Sequence, residues 1–359
     1  MTAAFWLPRL LLLAAILVAC GGYGTPSGQV GGSLPGSGAA GQAPNIVQST
    51  TTSPVRSEPT ALTISINNNI PSSWPQFVAD QAGIFAANDL AVNLQVTNGG
   101  PVQMAALLSG QLQVIQQGGI EALNAAANGS DVVMVALLIP VATWVFMVPA
   151  SIHSGADLKG QKVGVPALGG GGDSALRVGL PRIGLNPDTD VSVVAAGSVP
   201  NLRAALISGA VLGATVQPLD MVPLQQQGFH ALFDLAALKV PSPDTGIVVS
   251  RGYATGQRPI VQKYVDSLVQ AIARMRGDRP LSEAVLKKQL KSEDDQLVAG
   301  LYDFYTQNVF PSEPYPLAED FSAVLPPIAK TNPAVAGFDL NRMLDLSFVQ
   351  SAVDRGLDR

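Results

Sequence analysis

One stretch of this chain is answered by another about one hundred residues further on. QAGIFAANDLAVNLQVTNGGPVQMAALLSGQLQVIQQGG runs from Gln81 to Gly119, and RIGLNPDTDVSVVAAGSVPNLRAALISGAVLGATVQPLD from Arg182 to Asp220. Gly83 and Ile84 correspond to Gly184 and Leu185. The run Ala106 to Gly110 (ALLSG) corresponds to Ala205 to Gly209 (ALISG). Each copy reads as a helix ending near glycine, then an alternating strand (Ala91–Thr97, Val191–Ala195). A glycine turn, an amphipathic helix, a Ser-Gly stop and a second strand follow. Strands alternating with helices of these lengths predict α/β architecture, with parallel sheets covered by helices. Two such units predict two lobes, and 359 residues are enough for both.

Two apolar strands, Val132–Ile139 and Thr143–Pro149, lie between the copies and are separated by Pro140. A further strand is expected at Gly246–Ser250. The remainder shows apolar residues at spacings of three and four, the helical period, with Ser292-Glu293 as one helix start. The first lobe is therefore expected at 61–148 and 245–359, and the second at 149–244. Two crossing segments near Phe146 and Ile247 would form the hinge.

The N-terminus carries one early charge, Arg9, before an apolar run from Leu10 to Ala19. That run is too short for a membrane span of roughly twenty helical residues. It fits a secretory signal over 1–20. Its end, Leu17-Val18-Ala19-Cys20-Gly21, resembles the bacterial lipobox and holds the chain's one cysteine. The resemblance implies lipidation of Cys20. Residues 21–60 are rich in Gly, Ser, Thr and Pro and read as a disordered tether. Charged residues make up only 13% of the chain, against the quarter usual in soluble domains. The first sixty residues hold just Arg9, Arg56 and Glu58, so the depletion belongs to the folded part as well. A formal charge of −5 offers no footprint for nucleic acid.

The phrases AGIFAANDLAVNL, GGPVQMAALLSGQLQV, DLKGQKVGVPALGGGGDSALR, QPLDMVPLQQQGFHALFDL and GIVVSRGYA, in that order, resemble the substrate-binding proteins of ABC importers. The branch is that of the nitrate, sulfonate, taurine and thiamine-precursor binders (NMT1/THI5-like). The resemblance covers roughly Ala61 to Tyr305. It implies a type II periplasmic-binding-protein fold: two α/β lobes, a ligand cleft and a two-strand hinge. It also implies a monomer, anchored outside the cytoplasm, that hands a small solute to a permease and its ATPase, without catalysis, cofactor or metal. A receptor signalling to a membrane sensor, or an enzyme on this fold, are the alternatives. One departure stands out: such proteins usually read SGAVDAA where this chain has SGAVLGA, so a carboxylate is missing at Leu212-Gly213.

The run GVPALGGGGDSALR, Gly164 to Arg177, places four glycines between strand and helix. A P-loop needs Gly-Lys-Ser/Thr after its glycines, and here Asp173-Ser174 follows Gly172. A tight turn with Asp173 or Ser174 capping the helix is expected, and the resemblance adds that the turn faces the ligand. His153 and His230 lie far apart in sequence, no cluster suits zinc, and Gly-x-Ser-x-Gly is absent. Loops at strand ends are where open α/β sheets bind ligands. The candidate contacts there are Asn68, Asn69, Ser73, Trp74, Gly99, Gly100, Gln117, Gly118, Thr143, Trp144, Gly170, Gly171, Asp173, Ser174 and Gln217. Trp74 could equally be a core residue and Trp144 part of the hinge. These loops contain no lysine or arginine. The expected ligand is neutral or singly charged, flat enough to lie on an indole, and not a dianion.

Overall fold

A computed structural model describes residues 58–66, 70–97 and 100–359. The expected signal 1–20 with Cys20, most of the tether 21–60, Asn68, Asn69 and Gly99 lie outside them. Ten strands are described: β1 Thr60–Ile66, β2 Leu90–Val96, β3 Val114–Gln117, β4 Val132–Val141, β5 Val145–Pro149, β6 Lys162–Val165, β7 Ser192–Ala195, β8 Gly213–Val216, β9 Phe229–Asp234 and β10 Pro241–Ser250. They form two five-stranded sheets, in the orders β2-β1-β3-β10-β4 and β7-β6-β8-β5-β9.

The repeated stretches occupy equivalent places in the two sheets. β2 and β7 are edges, and β3 and β8 are centres. The glycines that open the two copies, Gly83 and Gly184, both adopt left-handed backbone (φ 70° and 77°). The helices Gly100–Leu108 and Val199–Ile207 join edge to centre in the two copies. The sheets are mixed rather than all-parallel, which corrects the expectation from the βα units. β10 runs antiparallel to both β3 and β4, and β5 to both β8 and β9. The cause is topological. Each of these two strands arrives from the other sheet, so it enters where its parallel neighbours end and must run the opposite way.

The chain passes between the sheets at residues 142–144 and 235–240. Phe146 and Ile247 lie inside β5 and β10. The two crossings run side by side, tied by Ala142 N–H to the Val240 carbonyl (3.0 Å) and Leu235 N–H to the Trp144 carbonyl (3.1 Å). Pro140 does not break its strand, because the pairing of β4 with β10 is irregular between Pro241 and Thr245 and makes no demand on its missing N–H.

β4 ends its sheet yet is buried throughout except at Pro140, because the C-terminal part of the chain covers its free edge: Met134 N–H donates to the Met343 carbonyl at 2.7 Å and Leu137 N–H to the Pro314 carbonyl at 2.8 Å. Behind the first sheet lies the helix Arg258–Gly277. Its buried Val261, Tyr264, Val265, Leu268, Val269, Ile272 and Met275 follow the helical period toward the core. The helix expected at Ser292-Glu293 starts at Asp295 instead. Asp294 caps it by accepting from Leu297 N–H at 2.9 Å, while Ser292 Oγ accepts from Asp294 N–H. In the second sheet the rings of Phe146 and Phe233 stack at 4.9 Å. No described helix is long and apolar enough to cross a membrane.

Candidate ligand cleft

The cleft opens at the carboxyl ends of the parallel strands, where β3 runs into Gly118 and β6 into the glycine turn. Two cavities meet there, of about 320 and 400 Å³. Both are lined by Ile120, Ser242 and Asp244, so the two adjoin. The smaller lies against the first sheet and is polar, with Gln103, Gln116, Gln117, Glu121 and Thr245 on its wall. The larger lies between the lobes and is mainly apolar. Trp144, Val178, Leu235, Val240, Val324 and Pro327 face it, together with Gly169, Gly170, Gly171 and Ser174.

The glycine turn is built by three local demands. Gly169 takes a left-handed conformation (φ 73°), which L side chains disfavour. The indole of Trp144 lies so close to Gly171 that an added Cβ would stand 3.1 Å from Cζ2. A Cβ on Gly172 would stand 2.8 Å from Pro166 Cδ. Asp173 folds back into the turn: Oδ2 accepts from Gly169 N–H at 2.8 Å, and Oδ1 from Arg177 Nε at 3.0 Å. Arg177 also donates to Asp188 at 2.7 Å. That bond, with the charges of Asp173 and Asp188, raises its pKa against the desolvation that lowers it. Neither Asp173 nor Ser174 caps the helix as expected: it begins at Gly171, with Gly170 at the N-cap and no side-chain cap, and Asp173 inside its first turn satisfies a turn N–H instead.

Of the expected contacts, Gly100, Gln117 and Gly118 line the smaller cavity, and Trp144, Gly170, Gly171 and Ser174 the larger. Trp74 does not reach the cleft. It is fully buried, donates from Nε1 to the Ser282 carbonyl at 3.1 Å, and packs edge-on against Tyr302 and Tyr305. Ser73 lines neither cavity; it stands behind Gln116, its hydroxyl donating to Gln116 Oε1 at 2.9 Å. Thr143 donates to Gln217 Oε1 at 3.2 Å, and neither lines a cavity. Asp173 is spent on its own turn.

Sequence reading missed Glu121, Ser242 and Asp244, and the segment 323–328 from near the far end of the chain. Asp244 sits just before the strand Gly246–Ser250 expected from sequence, and only the return of β10 through the crossing brings it into the cleft. Burial and the neighbouring Glu121 carboxylate push its carboxyl up to about 6, against an opposing hydrogen bond from the Thr245 side chain. No lysine or arginine lines either cavity. His153 and His230, distant in sequence, stack at 6.5 Å between ring centres. Among the described residues no group of three metal-ligating side chains occurs.

Two α/β lobes joined by a paired crossing, with a cleft between them, define the periplasmic-binding-protein fold. Solved structures agree. The chain is similar to the periplasmic aliphatic sulphonate binding protein SsuA from Escherichia coli (TM-score 0.62, 23% identity, covering 80% of this chain and 97% of that one). It is also similar to the alkanesulfonate-binding protein SsuA from Xanthomonas axonopodis pv. citri bound to MOPS (TM-score 0.52, 22% identity, 82% and 98%). A third similar structure is a C27S mutant of the desulfurization enzyme DSZB in complex with biphenyl-2-sulfinic acid (TM-score 0.59, 18% identity, 82% and 99%). No curated protein matches the sequence. The chain belongs to the NMT1/THI5-like family, which it matches over residues 70–278.

Proposed function

We propose that this protein is an extracytoplasmic solute receptor that captures a small molecule between its lobes and delivers it to an ABC permease and its ATPase. The observation that carries the reading is the pair of adjoining cavities at the strand ends, lined by the glycine turn and Trp144 in one and by Gln117 in the other, with Asp244 on both. Family membership and the sulphonate-binding neighbours support it. In this reading the lobes expected at 61–148 with 245–359 and at 149–244 divide a few residues earlier, at the two crossings, with all of β5 on the second lobe and all of β10 on the first. The protein acts as a monomer, held at the membrane by a lipid on Cys20 with 21–60 as tether. The ligand carries no more than one charge. Arg177 is engaged by Asp173 and Asp188, and Arg251 by Asp131, so neither arginine is spare for a buried dianion.

A thermal-shift screen over sulfonates, nitrate, pyrimidines, aromatic acids and amines tests the reading. A true ligand at a hundred times its Kd adds about 2.7 kcal/mol of stability. A library in which nothing stabilises the protein counts against a receptor. A compound that is consumed rather than released would support the enzyme reading that the likeness to DSZB favours. Anchoring is tested separately: Cys20→Ala should release the protein from the membrane fraction with ligand affinity intact.

A further inference from the structure

We infer that the ligand presents a cationic nitrogen, a protonated amine or amidinium, to Gln117, Glu121 and Asp244, and lays an apolar body against Trp144. This rests on the reading of the cleft as the ligand site and adds the ligand's charge to it.

Three observations converge. First, the acidic end of the cleft is uncompensated: Glu121 and Asp244 line one cavity together, and no lysine or arginine shares its wall. Second, Gln117 lines the same cavity at 3% exposure, and its Oε1 accepts no hydrogen bond. A buried carbonyl oxygen left without a donor costs on the order of 1–3 kcal/mol, so a small turn of the side chain toward the cavity, where a ligand brings the donor, recovers that amount. Third, the adjoining space is lined by Trp144, Val178, Leu235, Val240, Val324 and Pro327, which gives a cation an apolar body to belong to. A sulfonate placed here would meet two carboxylates and no countercharge.

A bare metal ion fits less well. Calcium takes six to eight oxygen ligands, and among the described residues no cluster of three acidic, histidine or cysteine side chains is present. The apolar wall would also be left unused.

Protonation provides an internal check. Asp244 faces Glu121 on the helix Gly119–Ala127, the Thr245 side chain, and the buried Tyr305 hydroxyl, whose own pKa is raised by burial and by the Asp244 charge. Acidification protonates Asp244 and removes part of the attraction for a cation, so an amine should bind more weakly as pH falls.

The test uses three matched probes on the full chain: 2-phenylethylamine, 2-phenylethanol and 2-phenylethanesulfonate, followed by calorimetry. The amine should bind at least about tenfold more tightly than the alcohol, a difference of one charge-assisted hydrogen bond, and the sulfonate most weakly. That preference should shrink between about pH 7.5 and about pH 5. It should vanish in Glu121→Gln/Asp244→Asn, while Trp144→Ala should weaken amine and alcohol alike. An amine that binds no better than the alcohol overturns the inference, as does a preference unchanged in the double variant. So does calcium alone stabilising the protein and excluding the amine. If the sulfonate binds and Trp144→Ala weakens it, the cleft reading stands and only the charge is wrong. If none of the three binds, both fail.

Discussion

Gly213 stands on β8 with its missing side chain directed at the ring of Phe146: a Cβ there would lie 2.2 Å from Cζ. That contact explains the glycine where SGAVDAA has alanine, while the missing carboxylate falls at Leu212, which packs half-buried against the same core. The glycine accommodates the Phe146–Phe233 stack, and the change belongs to the core of the second sheet, away from the cleft linings. Gly213→Ala should therefore destabilise by about 1–3 kcal/mol through overpacking, read as a lower denaturant midpoint, with ligand affinity unaltered. Trp74 makes the complementary case. Trp74→Phe leaves the Ser282 carbonyl without its donor and should cost about 1–3 kcal/mol. Because Trp74 is sealed behind Tyr302 and Tyr305, calorimetry should find no change in binding. The residue type alone could not separate Trp74 from Trp144. Both follow polar, strand-end sequence, and their roles diverge according to which helices later cover them.

The glycine turn is an element whose function follows from what it keeps for itself. Asp173 is buried (7% side-chain exposure) and holds Gly169 N–H and Arg177 at once. Asp173→Ala should cost about 1–2 kcal/mol and weaken ligand binding, because Gly170 and Gly171 line the cleft. Asp173→Asn, which keeps an oxygen for Gly169, should lose less in both measurements. The turn was legible in the sequence as a glycine run between strand and helix, but the cap was not: the helix starts two residues before Asp173, whose carboxylate holds Gly169 N–H instead. The repeat was legible, since left-handed glycines and Ser-Gly stops are local signals. The antiparallel strands were not legible, because the direction of β10 is set by where the chain re-enters the sheet. Asp244, Glu121 and residues 323–328 were missed for the same reason: they meet only through pairings between distant parts of the chain.

At the scale of the whole molecule, the two crossings are short, adjacent and hydrogen-bonded to each other, and we propose that rotation there closes the cleft while both sheets stay rigid, with Val222 sliding on Gly300 at a helix contact between the lobes. Small-angle scattering at ligand saturation should show a smaller radius of gyration than the free protein, and unchanged profiles would remove the clamp. The order β2-β1-β3-β10-β4 has another consequence. β3 and β4 do not touch each other; β10 is wedged between them, and Gln117 pairs with Gly246 across the entire sequence of the second sheet. During synthesis the second sheet can complete itself as soon as β9 has emerged, but the first stays split down its middle until β10 arrives. Closing so long a chain is entropically slow. Pulsed hydrogen exchange during refolding should accordingly protect β5, β6 and β8 before β3 and β4. The half of the molecule that begins first is the half that finishes last.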